Sequence, residues 1–103
     1  MSLKVYISGK ISGDPNYREK FRAAADKLTA AGHIVLNPAV QPAGLRPEDY
    51  LRVCFAMMEA ADTVVFLREY CQSSSAMLEL AWCKYVGKPT AFNLDGLILE
   101  AAT

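Results

Sequence analysis

The feature that most constrains this chain is a regular alternation of short apolar runs and amphipathic segments. Four apolar runs predict strands at residues 5–8, 33–36, 63–67 and 89–92. The segments between them predict helices at 17–31, 47–61 and 75–86, because their apolar residues recur at spacings of three and four. Strands that alternate with helices pair in parallel through right-handed crossovers.

This order predicts a single α/β domain of three layers. We expect a doubly wound parallel sheet of four to five strands, flavodoxin- or Rossmann-like, with both faces covered because the strands are almost continuously apolar. A length of 103 residues fits one domain. Gly32 and Gly87 are expected to end helices, and residues 93–103 are expected to form a short helix or an edge strand.

The balance of acidic and basic residues limits the classes of partner that we expect. Lys plus Arg and Asp plus Glu each number 11, so the net charge is zero and neither nucleic acid nor an anionic membrane is expected as a partner. The apolar runs are shorter than the roughly 20 residues of a membrane span. We therefore expect a small-molecule site in a cytoplasmic protein.

The cysteines predict neither a disulfide framework nor a metal site. The chain has three of them, Cys54, Cys71 and Cys83, and no pair has C-x-x-C spacing. They are interpreted as small buried apolar residues of a protein in a reducing compartment. No metal and no cofactor is expected.

The loop after the first strand is a candidate phosphate site. Glycines in such a loop let backbone N–H groups approach a phosphate at the carboxyl end of the sheet. The motif matches neither G-x-G-x-x-G nor a Walker A loop, and a tight turn would require the same glycines. The candidate residues are Gly9, Lys10, Ile11, Ser12 and Gly13.

A second candidate is the serine run before the third helix. Ser73, Ser74 and Ser75 either cap that helix or donate to a phosphate or a sugar hydroxyl. Glu79 follows about one turn later, where a carboxylate could attack an anomeric carbon. The alternative is a first-turn acid that interacts only with the helix dipole.

Other residues are given structural roles by their positions. Tyr6 lies in the first strand, where tyrosine usually packs. Asp62 is interpreted as a turn residue, His33 as structural or exposed, and Met57 and Met58 as core.

Four stretches follow one another along the chain: Val-Tyr-Ile-Ser-Gly at 5–9, Ala-Ala-Gly-His-Ile-Val-Leu-Asn-Pro at 30–38, Ala-Asp-Thr-Val-Val-Phe-Leu at 61–67, and Ser-x-Ser-Ala-x-x-Glu-Leu-Ala at 73–81 before Gly-Lys-Pro. Together they resemble the nucleoside 2-deoxyribosyltransferase superfamily over residues 5–93, above all its small phage-type members. The chain is also similar to 2′-deoxynucleoside 5′-phosphate N-hydrolases.

The resemblance implies a chemistry. The family's glutamate, which falls on Glu79, attacks the anomeric carbon of a 2-deoxynucleoside, and a second base or water resolves the covalent intermediate. The family's first-strand tyrosine falls on Tyr6 and helps to hold the glutamate. The transferases carry an aspartate where this chain has Ser73, and the monophosphate hydrolases carry serine. Ser73, Ser75 and the loop 9–13 therefore imply a 5′-phosphate, which a carboxylate would repel.

Two further positions bear on activity and assembly. The family's aspartate that protonates the leaving base falls on Cys54, and a thiol replaces a carboxylic acid poorly there. Asp49 and Glu59 are the nearby substitutes. The relatives complete each site from a second subunit, so a homodimer or larger homo-oligomer is expected, with Asn93 as the candidate contributor.

Three hypotheses remain open from the sequence. The first is an N-glycosidase or deoxyribosyltransferase acting on 2-deoxynucleotides through Glu79. The second is a nucleotide-binding module without catalysis, as Cys54 suggests. The third is a structural or partner-binding protein that has no ligand, such as an obligate dimer that uses its second and third helices.

Overall fold

The computed structural model describes residues 2–102, and the side chains of residues 2–98. Strands and helices alternate in the predicted order, and a fourth helix follows the last strand. Short 3-10 turns lie at Pro38–Val40 and Tyr70–Gln72. The elements are β1 (Lys4–Ser8), α1 (Tyr17–Ala30), β2 (Ile34–Leu36), α2 (Pro47–Ala60), β3 (Thr63–Phe66), α3 (Ser74–Val86), β4 (Thr90–Ala91) and α4 (Asp95–Ala102).

The sheet is parallel throughout, and within the described residues it has four strands in the order β2-β1-β3-β4. The register sets Tyr6 beside Val64 and Ser8 beside Phe66. The chain leaves β1 toward one edge of the sheet and β3 toward the other. The switch point of this flavodoxin-like order therefore lies between the carboxyl ends of β1 and β3, where ligands bind in such folds.

Two cores sandwich the sheet and make the three predicted layers. Val5 and Ile7 of β1 face α1 and α4, whereas Tyr6 faces α2 and α3, because successive strand residues point to opposite faces. Val64 and Phe66 of β3 join Tyr6 on its face. The predicted α/β class and layer arrangement are confirmed.

The edge strands are shorter and less covered than predicted. Residues 33–36 and 89–92 were expected as strands, but β2 begins at Ile34 and β4 has two residues. Ile34 is 57% exposed, so two-sided burial holds only for the central strands. The tail forms α4 rather than an edge strand, and residue 103 lies outside the described part.

Buried His33 lies between β1 and α4. Its Nδ1 accepts from the Leu3 N–H at 3.1 Å, and its Nε2 lies 2.9 Å from the Leu97 carbonyl oxygen. Its role is structural.

Glycine ends two helices as predicted, because Gly32 and Gly87 have φ of 94° and 78°. Cys54 and Cys83 are buried, but Cys71 is exposed, so its predicted burial was wrong. Cys71 lies in the Tyr70–Gln72 turn at the surface rather than on a core-facing helix. Among the described residues, no helix has the length and apolar character needed to cross a membrane.

Candidate active site

The site is built around a buried carboxylate. Glu79 lies on the inner face of α3 and is 4% exposed. The Ser8 hydroxyl donates to Glu79 Oε1 at 2.7 Å, and the Tyr6 phenol donates to Oε2 at 3.1 Å. Tyr6 and Ser8 are two residues apart on β1 and so share one face of the sheet. One strand thus supplies a donor to each oxygen of one carboxylate.

The surroundings of Glu79 perturb its ionisation. Burial raises the pKa of its carboxyl above the ordinary value, and the hydrogen bonds from Ser8 and Tyr6 oppose this because they stabilise the charged form. Burial, and then the charge of Glu79, raise the pKa of Tyr6, so its phenol remains a proton donor at neutral pH. A buried acid with a perturbed pKa beside a crevice is typical of a functional group.

Glu79 lies just behind an open cleft rather than within it. The carboxylate lines a void of about 10 Å³, which is close to the space of one water molecule. A cleft of about 570 Å³ lies next to this void. The residues that line both, and so separate them, are Ile11, Pro38, Tyr50 and Ser75.

The cleft has a size typical of small-molecule sites, and no charged side chain is among its described lining residues. Its lining mixes apolar side chains with hydroxyl and carboxamide groups. The apolar residues include Tyr17, Pro42, Leu45, Leu51 and Leu78, and the polar groups come from Ser12, Gln41, Gln72, Ser73, Ser74 and Ser75.

The amino end of α3 opens onto the cleft. Ser73 caps the helix, because its Oγ accepts from the Ala76 N–H at 3.2 Å, and Ser75 Oγ lies 3.1 Å from Ser73 Oγ. The capping role anticipated for the serines therefore applies to Ser73. Hydroxyls and the positive end of the helix dipole together favour an anion at this end of the cleft.

Residues of the first loop line three separate spaces. Gly9 lines the void beside Glu79, and Ile11 and Ser12 line the cleft. The Lys10 side chain lines a different cavity, and its Nζ donates to Gln72 Oε1 at 3.2 Å. Gly13, with φ of 80°, lines none of these cavities.

Gly9 is required by packing. A Cβ at this position would lie 3.2 Å from Leu67 Cβ and from Phe21 Cζ. Packing accounts for Gly9, and the positive φ of a turn accounts for Gly13, so neither glycine by itself indicates a phosphate.

Asn93 is not brought to the cleft within this chain. It is exposed, and its Oδ1 accepts from the Asp95 N–H at 3.1 Å at the start of α4.

The leaving-base position carries no carboxylic acid. Cys54 is fully buried, and Gln41 Nε2 donates to its Sγ at 3.4 Å. Of the two expected substitutes, Asp49 pairs with Arg46 at 3.1 Å, and Glu59 is exposed. Neither lines the cleft or the void.

Sequence reasoning missed three residues of the site. Ser8 could have been found, because the period of two on β1 places it beside Tyr6. Tyr50 faces the void from α2, and burial raises the pKa of its phenol. Gln41 follows the Pro38–Val40 turn, and no pattern in the sequence indicates that it reaches the site. Its Oε1 is buried without a hydrogen-bond partner among the described residues, which leaves an acceptor for a ligand.

Comparisons with known proteins agree with this architecture. The model of a domain of unknown function, DUF4406, matches residues 3–92. The chain is similar in structure to a 2-deoxyribosyltransferase from Bacillus psychrosaccharolyticus, with a TM-score of 0.66 and 18% identity. That similarity covers 84% of this chain and 69% of the transferase. No curated protein matches the sequence. The structural similarity confirms the deoxyribosyltransferase-like fold.

Proposed function

The chain belongs to the DUF4406 family, and we propose that it cleaves the N-glycosidic bond of 2-deoxynucleoside 5′-monophosphates with Glu79 as the nucleophile. The observation that carries this proposal is the buried Glu79 carboxylate, held by Tyr6 and Ser8 directly behind a cleft of about 570 Å³. The similar transferase supports deoxyribosyl chemistry on this fold.

The reaction balances as a double displacement. A Glu79 oxygen forms a bond to the anomeric carbon while the N-glycosidic bond breaks, and the departing base takes the bonding electron pair and a proton from solvent. Water then attacks the anomeric carbon and gives up a proton to solvent, the bond to the Glu79 oxygen breaks, and 2-deoxyribose 5-phosphate leaves with the carboxylate restored. The transition states resemble an oxocarbenium ion, which a neighbouring carboxylate stabilises.

Tyr6 and Ser8 act as positioning residues. Each donates to a different oxygen of Glu79, so the carboxylate plane is fixed while a lone pair remains free for attack. The hydrogen bonds also favour the ionised, nucleophilic form against the effect of burial.

The amino end of α3 supports the 5′-phosphate. Ser73 and Ser75 supply hydroxyls there, and the described cleft lining contains no acidic side chain that would repel a dianion. The apolar lining residues, Tyr17 and Leu78 among them, offer a surface for the flat base.

Substrate entry requires a local opening. The void beside Glu79 holds about one water, so a sugar ring reaches the carboxylate only when the partition between void and cleft opens. Tyr50 is the largest member of that partition, and we expect its ring to change rotamer when substrate binds.

We propose a homodimer through the outer face of α3. This helix carries apolar residues on all sides, which is the pattern of a helix buried on all sides. Met77, Leu78 and Tyr85 are nevertheless 41%, 49% and 92% exposed. Leu78 also lines the cleft, so a second copy packed on this face would form part of the wall of the cleft.

A nucleotide-binding module without turnover is the second candidate. The specific observation in its favour is Cys54, a buried thiol where an acid would assist the leaving base. In this case deoxynucleotides raise the melting temperature while no base is released.

The experiment is incubation with each of the four deoxynucleoside 5′-monophosphates, followed by chromatography for free base. We expect release by the wild type, none by Glu79→Gln, and undiminished release by Glu59→Gln, which changes an exposed glutamate away from the cleft. Absence of release by the wild type, or equal release by Glu79→Gln, would overturn the proposal.

A further inference from the structure

A second cavity, of about 330 Å³, lies beyond the first loop from the cleft. Lys10 lines it, whereas the next residues, Ile11 and Ser12, line the cleft. The proposed reaction uses no residue that lines this cavity.

This lining concentrates positive charge. It contains Lys10, Lys20, Lys27 and Arg68 against two acids, although the whole chain is neutral. Four of the chain's 11 basic residues therefore surround one cavity. A concave site with one dominant sign of charge raises the local concentration of the opposite ion.

Two of the four cations are already engaged. Lys20 Nζ lies 2.7 Å from Asp14 Oδ2 and 3.8 Å from Glu69 Oε2. Lys10 donates to a neutral partner, the Gln72 carboxamide. Within residues 2–98, Lys10, Lys27 and Arg68 form no ion pair, so the excess positive charge comes from these three. Lys27 and Arg68 also have no side-chain hydrogen bond to another described residue, which leaves both free to contact a ligand.

The position of the cavity and its apolar lining residues also suit a ligand. Lys10 and Asp14 come from the loop after β1, and Leu67, Arg68 and Glu69 follow β3. The cavity thus lies at the switch point of the sheet, on the α1 side. Apolar Phe21, Leu67 and Leu94 form part of its lining and reduce the screening of the charges by water.

We propose that this cavity binds a small polyphosphate anion, with Lys27 and Arg68 as its principal contacts. Two cationic side chains match the charge of a diphosphate better than that of a single phosphate, and Arg binds phosphate oxygens through paired N–H donors. The shared chemistry is the diphosphate group, either free or attached to a nucleoside.

The test is a titration of the ¹⁵N-labelled full chain with pyrophosphate, followed through its amide resonances. We expect saturable shifts at residues around Arg68, Glu69 and Lys27, with an affinity that falls as salt is added. ADP, run as a second arm, distinguishes the sources: tighter binding than pyrophosphate assigns the site to a nucleotide, and equal binding assigns it to the free anion.

A matched variant pair tests the contacts. We expect Lys27→Gln with Arg68→Gln to weaken pyrophosphate binding by at least roughly tenfold, as the loss of two charge-assisted contacts requires. Lys84→Gln, which removes an exposed lysine on α3, should leave the affinity unchanged.

Three outcomes would overturn the proposal: no saturable shift, shifts confined to residues 73–75, or equal affinity in the double variant and in Lys84→Gln. Shifts confined to the serines would instead assign the anion to the cleft. None of the exchanged residues lines the cleft, so this test is independent of whether deoxynucleotides are cleaved.

Discussion

The phenol of Tyr6 donates a hydrogen bond to the Glu79 carboxylate across 3.1 Å, and this contact joins residues 73 positions apart in the chain. Buried carboxylates usually pair with a cation. Here the described residues give Glu79 two hydroxyl partners and no Lys or Arg within salt-bridge distance. A carboxylate that is hydrogen-bonded only to neutral donors is not neutralised by a partner cation, so its negative charge is available to a substrate.

Removing the charge of Glu79 should stabilise the fold. The raised pKa of Glu79 means that the folded state holds its proton more tightly than the unfolded state does, so its contribution to stability falls as pH rises above 4.5, the ordinary value. Glu79→Gln should therefore melt at a higher temperature than the wild type at neutral pH and at a similar temperature below 4.5. Calorimetry across this range checks it, and a lower melting temperature of the variant at neutral pH would contradict the assignment.

Removing one donor to Glu79 should change the pH dependence of base release. Tyr6→Phe deletes a hydrogen bond that favours the ionised carboxylate, so the pKa of Glu79 rises and the acidic limb of kcat moves to higher pH. A hydrogen bond to a charged group contributes about 1.5–3 kcal/mol, so kcat on this limb should fall by roughly tenfold or more. The control is Tyr70→Phe, at a phenol that lines neither the cleft nor the void. An unmoved limb in Tyr6→Phe would show that Tyr6 only packs.

A negative charge at position 73 should weaken the binding of phosphorylated substrates. Aspartate and asparagine both cap helices well, so Ser73→Asp and Ser73→Asn should both preserve α3. Only Ser73→Asp places a negative charge next to the proposed phosphate position, and we expect it to raise KM for monophosphates while leaving nucleosides unaffected. Steady-state kinetics on both substrate classes measure this. Equal KM values for monophosphates in the two variants would contradict the proposed position of the phosphate at this end of the cleft.

Because Gly9 is crowded, adding even a methyl group there should lower the stability of the fold. Gly9→Ala places a Cβ 3.2 Å from Leu67 and Phe21, and we expect a loss of about 1–3 kcal/mol in the free energy of unfolding. Gly96 lies in α4, and a Cβ there meets nothing within 4 Å. Gly96→Ala should therefore gain about 0.5–1 kcal/mol, because alanine favours a helix. Urea denaturation of the two variants gives both values, and an unchanged stability of Gly9→Ala would show that the loop relaxes freely.

Charge on the outer face of α3 should prevent self-association. The double substitution Met77→Glu with Tyr85→Glu places two acids where a second copy is proposed to pack. Sedimentation velocity should then show a monomer, whereas Val40→Glu, at a 74% exposed valine outside α3, should remain dimeric. A monomeric wild type would contradict the proposed interface.

The central fold could be predicted from the sequence because its signals are local. Apolar runs and glycine stops place β1, β3 and three helices within one or two residues of their observed bounds. The bounds of the edge strands were predicted less accurately, because the length of an edge strand depends on pairing with its one neighbour rather than on composition. The tail had no decisive periodicity, and α4 forms where Leu97 completes the core around Phe21.

The site was only partly accessible to sequence reasoning. The resemblance to the deoxyribosyltransferases pointed to Tyr6 and Glu79, whereas the residues alone suggested that Tyr6 packs and left the role of Glu79 open. It did not reveal that Lys10 turns away from the cleft, because a side-chain direction within a glycine loop is set by tertiary contacts such as the one to Gln72. Gln41 and Tyr50 reach the site from segments whose sequence is typical of ordinary turns and helices.

The most direct measurement is the mass of the protein during turnover of a slowly reacting, 2-fluorinated deoxynucleoside 5′-monophosphate. We predict a covalent adduct of the sugar phosphate, located by peptide mapping on Glu79 and absent from Glu79→Gln. Unmodified protein throughout, or an adduct on any other residue, would contradict the nucleophilic role of this carboxylate.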